Sequence, residues 1–161
     1  MWASFSEPRH RFDPKSGRFR VRYAGDSQRS AMRERFDGED RVVSAGQLGL
    51  HLAELSGAIR VLDLRLERNL DALGLDDQIS TSRSPQVWAT SHWLADRIYD
   101  WYGEACAGIV YRSRTTPQRS ANLAFFGHAP LRAISLGRLR TRTELLTACV
   151  LSDGFVIDGD W

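Results

Sequence analysis

Between Arg18 and Tyr23 the chain alternates strictly, with Phe19, Val21 and Tyr23 in one row and Arg18, Arg20 and Arg22 in the other. A period of two places the rows on opposite faces of a β-strand, one to be buried and one carrying three guanidinium groups. Such a strand needs sheet neighbours and a covering layer, and the residues that follow change period. Asp26 or Ser27 can cap a short helix over Gln28–Phe36, where Ala31, Met32 and the flanking charges suit helical spacing and Glu34 falls near the last turn. A strand running directly into a helix is the first constraint on the fold.

Later segments mix the two periods without a repeating unit. After a charged turn at 37–40, Ser44 and Gln47 have capping-box spacing, yet Leu48, Leu50 and Leu52 alternate, so helix and strand both stay open there. The apolar run AIRVLDL at 58–64 reads as a central strand, followed by a short helix through Leu70 and Leu73 that stops at Gly74. Residues 76–84 read as a polar loop. Ser84 as cap and Pro85 as first helical residue start the clearest helix, with Val87, Leu94, Ile98 and Trp101 along one core stripe and an end near Gly103. Short strands at 108–111 and 122–126 flank an arginine-rich loop at 112–120 that is too hydrophilic to bury. A strand at 131–139, a helix at 143–151 and, after an Asp153-Gly154 turn, a last strand at 155–157 close the order. Without a regular βαβ repeat, this order predicts an α+β fold.

A chain of 161 residues suits one domain, here 1–161, and 42% hydrophobic residues with only 5 prolines exclude disordered and collagen-like classes. No uncharged apolar run reaches the roughly 20 residues of a membrane-spanning helix, and the first residues lack the apolar core of a signal peptide. The expectation is a cytoplasmic protein with no membrane contact. Cys106 and Cys149 form no CxxC pair and the four histidines show no zinc-ligand spacing, so no metal site is expected. A net charge of +2 gives little drive toward nucleic acid. Lys15 is the single lysine among 22 basic side chains. Arginine favours bidentate recognition of carboxylates and phosphates, although codons rich in G and C produce the same bias. P-loop, GxGxxG, HExxH and GxSxG signatures are absent from the sequence.

What remains is an ordered set of short motifs: RFDP at 11–14, VRYAGDS at 21–27, AMRE at 31–34, VLDL at 61–64, GIVYRSR at 108–114 and NLAFF at 122–126. This succession resembles the RES domain, named for an arginine, a glutamate and a serine, the toxin of toxin-antitoxin pairs with an Xre-type antitoxin. The resemblance covers nearly the whole chain. It implies an ADP-ribosyltransferase-like mixed sheet with flanking helices, and an enzyme that destroys NAD by cutting the nicotinamide-ribose bond, by hydrolysis or phosphorolysis. NAD is then the substrate, and no resident cofactor is implied. Glu34 of AMRE matches the family glutamate and Ser113 of GIVYRSR the family serine, which makes them the catalytic candidates. Tyr23 matches the aromatic position of the nicotinamide pocket and Arg11 a basic position near the NAD phosphates; Asn122, which opens NLAFF, joins them as an NAD-binding candidate that would help order the loop. The implied partners are NAD and the antitoxin, which would block the NAD cleft and meet the 112–120 loop; a homo-oligomer is compatible with the same reading.

The residue types suit that chemistry. Cleaving an N-glycosidic bond builds positive charge on the ribose, which a fixed carboxylate stabilises more in the transition state than in the ground state. A serine without an accompanying histidine and acid is a hydrogen-bonding group rather than a triad nucleophile. Each candidate also has a purely structural use: Glu34 as a solvated helix residue, Tyr23 in the core, Ser113 capping a turn, Arg11 on the surface, Asn122 in an Asx turn. The family's first named arginine lies upstream of the RFDP-like segment, whereas only ten residues precede Arg11 here. The chain is therefore expected to lack the family's N-terminal strand, and a catalytically impaired binding module of the same fold is the alternative. A further alternative from another class is a nucleic-acid-binding domain using Arg18, Arg20 and Arg22 as a basic comb, with Tyr111 and Phe125 or Phe126 as stacking groups.

Overall fold

The computed structural model describes residues 7–37, 40–115 and 120–159. Strand β1 (Val21–Gly25) carries the alternation at the start of the chain: Val21 and Tyr23 pack on the core beside Phe19, and Arg22 is exposed. Helix α1 (Gln28–Phe36) follows after two residues, capped by Ser27, whose Oγ accepts from the Ser30 backbone N–H at 3.1 Å. This connection is tight. A Cβ on Gly25 would lie 2.6 Å from the Ala31 nitrogen, so only glycine lets α1 fold back so closely on its own strand.

The principal sheet has the order β1-β6-β5-β4. Strands β5 (Gly108–Arg112) and β6 (Ala121–Phe126) occupy its centre because their residues are almost all apolar and buried, which suits strands covered on both faces. They pair antiparallel with each other, and β6 pairs antiparallel with β1. The expected central strand at 58–64 is reduced to β4 (Leu62–Asp63), a two-residue edge strand parallel to β5. Asp63 ends it: its Oδ1 accepts from the Arg65 N–H at 3.0 Å and its carbonyl from Asn69 Nδ2 at 2.8 Å, turning the chain into α2 (Glu67–Leu73). Helix α2 stops at Gly74 in the left-handed conformation, as its spacing predicts.

Two other expectations change. The polar segment 76–84 contains the short helix α3 (Gln78–Thr81), started by Asp76 Oδ1 accepting from the Gln78 N–H at 2.8 Å and held by buried Ile79. Helix α4 (Pro85–Tyr102) has the predicted start, and Leu94 and Ile98 point into the core, but Trp101 is 52% exposed and lies off the stripe. At 44–52 both open readings occur in succession. Gln47 Oε1 accepts from the Ser44 N–H (2.9 Å) and Oγ–H (3.0 Å) around a 3-10 turn at Gln47–Gly49, and β3 (His51–Ser56) follows.

Smaller pairings complete the architecture: β2 (Val42–Ser44) runs parallel to β8 (Val156–Asp158), and β3 pairs antiparallel with β7 (Arg132–Arg138). Helix α5 (Thr143–Asp153) ends at left-handed Gly154. The result is an α+β fold with a mixed sheet and flanking helices. One apolar cluster joins the principal sheet to α2, α3 and α4 through Phe12, Leu64, Ile98, Tyr111 and Phe126. A second joins α1, β2 and α5 through Met32, Phe36, Val43, Leu146 and Phe155. Helix α1 thus lies at the seam, its apolar side in the second cluster and its Ser30 against Asn122 of β6. Among the described residues no helix is long and apolar enough to cross a membrane.

Candidate active site

The seam brings together two residues 79 positions apart. Ser113, just past the end of β5, donates from Oγ to Glu34 Oε1 on α1 at 2.8 Å. Thr115 Oγ1 donates to the same oxygen at 2.7 Å, and the Thr115 N–H donates to Ser113 Oγ at 3.3 Å. Glu34 is exposed and Ser113 half-buried, so the carboxylate is oriented by protein on one oxygen while remaining open to a ligand. Hydroxyl donors on a carboxylate fix its orientation. The arrangement can present a fixed negative charge to a developing cation.

Beneath it lies a row formed by the sheet register. Tyr111 pairs with Asn122, and Asn122 with Gly25, at the end of the sheet where α1 begins. Asn122 is buried, its Oδ1 accepting from Ser30 Oγ at 3.5 Å and its side chain hydrogen-bonding Tyr111. It therefore ties α1 and β5 to β6 rather than forming an isolated Asx turn. Burial first, and then the charge of Glu34, raise the Tyr111 phenol well above its usual range, so it stays protonated. Tyr111 also holds Phe12 edge-on at 4.8 Å, which anchors the RFDP segment.

Tyr23 grips that segment more directly. Its hydroxyl accepts from the Phe12 N–H at 3.0 Å and donates to Asp13 Oδ1 at 2.9 Å. The hydroxyl is thereby committed within the protein, and the ring is half-buried, packed on the core beside His10. Arg11 is buried rather than on the surface: Nη1 donates to the Ile79 carbonyl at 3.0 Å and Nη2 to that of Ser82 at 2.7 Å, with Trp88 below the guanidinium. Burial is the largest influence on Arg11 and lowers its pKa, while the charge of Arg114 lowers it further and that of Glu34 raises it. Arg11, Glu34, Tyr23, Tyr111 and Arg114 thus share one electrostatic neighbourhood.

A family profile described as the RES domain matches residues 2–143. The chain belongs to the RES domain family. Its fold is similar to a chain of the crystal structure of the M. tuberculosis MbcT-MbcA toxin-antitoxin complex, with TM-score 0.59 and 14% identity over 86% of this chain and 76% of that one. Among curated proteins no match is found. In this RES domain the glutamate and serine that the motif resemblance singles out are hydrogen-bonded to each other.

Four residues around the Glu34–Ser113 contact carried no signal of their partners in the sequence: Thr115, Arg33, Asp153 and Asp37. Thr115 is 6% exposed although it sits in the arginine-rich loop, of which residues 116–119 lie outside the described residues. Arg33, next to Glu34, donates from Nη1 to the Thr115 carbonyl at 2.8 Å and from Nη2 to Asp153 Oδ1. Asp153, at the end of α5, also accepts a bidentate pair from Arg29, Nε to Oδ2 at 2.9 Å and Nη2 to Oδ1 at 2.5 Å. Asp37, one residue beyond α1, pairs with Arg114 at 2.7 Å and Arg83 at 3.4 Å. The RSR triplet hinted at the last pairing, but spacing alone gives no partner for either arginine.

The nucleic-acid alternative fails on burial and pairing. Tyr111, Phe125 and Phe126 are all in the core and present no face to a base. Arg18 is held by Asp100 at 2.7 Å and Asp96 at 3.6 Å, so the basic comb has lost its first tooth to α4.

Proposed function

We propose that this RES domain is the toxin of a toxin-antitoxin pair and depletes NAD by cleaving the nicotinamide-ribose bond, within an ADP-ribosyltransferase-like fold. The observation that carries the reading is the 2.8 Å bond between Ser113 and Glu34, which joins the two motif residues most suited to the chemistry. Glu34 is held at Oε1, which leaves Oε2 to face the ribose. As the C1′–N bond breaks, its electron pair goes to the nicotinamide nitrogen and cancels the positive charge there. The ribose becomes cationic, and the adjacent carboxylate stabilises that charge. The acceptor then bonds to C1′ through oxygen: water passes its extra proton to bulk solvent and leaves a C1′ hydroxyl, whereas phosphate attacks as an anion and leaves a C1′ phosphate ester. Arg11 and Arg114, already hydrogen-bonded within the protein, contribute positive charge toward the pyrophosphate rather than free forks, the Tyr23 ring packs against the nicotinamide, and Asn122 keeps the floor of the site in register. An Xre-type antitoxin covers the cleft and meets the arginine-rich loop, and a second copy of the chain is a further partner.

The test is nicotinamide release from NAD by the purified chain, in buffers with and without phosphate, beside Glu34→Gln. Release by the native chain and its loss in the variant are expected; equal rates would overturn the assignment. A second reading, a RES-fold binding module without turnover, is favoured by the two donors that Arg11 spends on Ile79 and Ser82. NAD binding by calorimetry in the absence of any nicotinamide release would select it.

A further inference from the structure

We infer that Thr115 is a positioning residue for Glu34, held in place by Arg33 and Asp153; this rests on the reading of Glu34 as the catalytic carboxylate. Two hydroxyls converge on one oxygen, Thr115 at 2.7 Å and Ser113 at 2.8 Å. A single donor leaves a carboxylate free to swing about its side-chain torsions. Two donors approaching the same oxygen set its plane and direct Oε2 outward. Thr115 acts a second time through its backbone: its N–H donates to Ser113 Oγ at 3.3 Å, occupying an acceptor direction of that hydroxyl so that the Ser113 proton points at Glu34.

Holding a loop residue in this way requires an anchor, and α1 provides it. Arg33 fixes the Thr115 carbonyl at 2.8 Å while its other terminal nitrogen is bound to buried Asp153. Neighbouring residues of one helix therefore supply the carboxylate and the clamp on the group that aligns it. The carboxylate and the clamp on its aligning group thus share one rigid support. Removing the Thr115 hydroxyl should then impair the chemical step and leave NAD affinity nearly intact, because geometry at the reacting centre, not contact with the rest of the dinucleotide, is what changes.

The experiment measures nicotinamide release by the full chain carrying native Thr115, Thr115→Val, Thr115→Ala or Thr115→Ser, with Glu34→Gln as the inactive reference. Val and Ala are expected to lose about ten- to a hundredfold in kcat, the range for a hydrogen bond to a charged group. Their KM for NAD should stay within about threefold, and Ser should recover most of the rate. Val and Ala turning over like the native chain would overturn the inference. So would a Ser variant as impaired as Val, which would make the role one of packing, or a loss confined to KM. Should Val fail to fold, the Ser and Ala variants still differ only by the hydroxyl. A native chain that releases no nicotinamide defeats the catalytic reading of Glu34, and the inference falls with it.

Discussion

Glu34 is exposed, and its side-chain hydrogen bonds from Ser113 and Thr115 are both accepted at Oε1, so replacing it should change chemistry far more than stability. Glu34→Gln keeps an oxygen for both hydroxyls and removes the charge. It is expected to lower nicotinamide release by about a hundredfold or more, with a melting temperature close to that of the native chain. A melting temperature that falls together with the rate would instead make Glu34 a structural residue. Tyr23 predicts the reverse pattern. Burial, with the Asp13 carboxylate second, raises its phenol pKa well above the usual range, so it remains a donor at any physiological pH. Tyr23→Phe strands the Phe12 N–H and takes a donor from Asp13, which should cost about 1–3 kcal/mol in a urea titration. An unchanged midpoint would show that water replaces the hydroxyl and that the RFDP segment is held by other means.

Helix α1 is positioned by contacts at both ends, and each makes a prediction. At its start, Gly25→Ala places a Cβ against backbone at 2.6 Å, so helix and strand must separate. The expected loss is about 1–3 kcal/mol with a disproportionate fall in activity, since Glu34 moves with the helix; native stability and rate in this variant would count against the tight connection. Along its length, Arg29 and Arg33 bind Asp153 of α5. Burial alone would raise the Asp153 pKa, but its hydrogen bonds from Arg29 and Arg33 prevail and hold it below the ordinary carboxylate range. A depressed folded-state pKa means that its stabilisation is present above the unfolded value near 4 and disappears as pH falls through the lower folded value. Asp153→Asn should cost about 3 kcal/mol or more at pH 7, and the gap between variant and native chain should narrow below about pH 4. A gap constant with pH would show that packing, not charge, holds α5 to α1.

Two apolar clusters meet across α1, so the whole molecule places its site where their relative position matters most. If the proposed function holds, expression of the chain should drain cellular NAD and arrest growth. Glu34→Gln should be harmless, and co-expression of an Xre-type partner should restore growth; arrest by the Glu34→Gln variant would point to toxicity unrelated to NAD. The strands and helices with strong local signals were legible in the sequence alone: β1 in its alternation, α1 in Ser27, α2 in Gly74, α4 in Pro85, β5 and β6 in their unbroken apolar runs. Glu34 and Ser113 stood out as candidates because their motifs are contiguous, and the fold brings the two into hydrogen-bond contact. Local signals could not show that β4 shrinks to an edge, because Asp63 turns the chain through hydrogen bonds to Arg65 and Asn69. Nor could they show that Trp101 faces solvent, since both sides of its helix carry apolar residues. The partners of Glu34 and Asp153 lie at sequence separations of 79 to 124 residues, and nothing in residue type or spacing encodes which hydroxyl or guanidinium will arrive. Short-range propensity and periodicity therefore determined which elements form, and the motif resemblance determined which residues became candidates for the chemistry. Only tertiary packing, which closes contacts between distant segments, decided that Thr115 joins the site, that Arg11 is buried against two carbonyls and that the Tyr23 hydroxyl is spent on the chain itself.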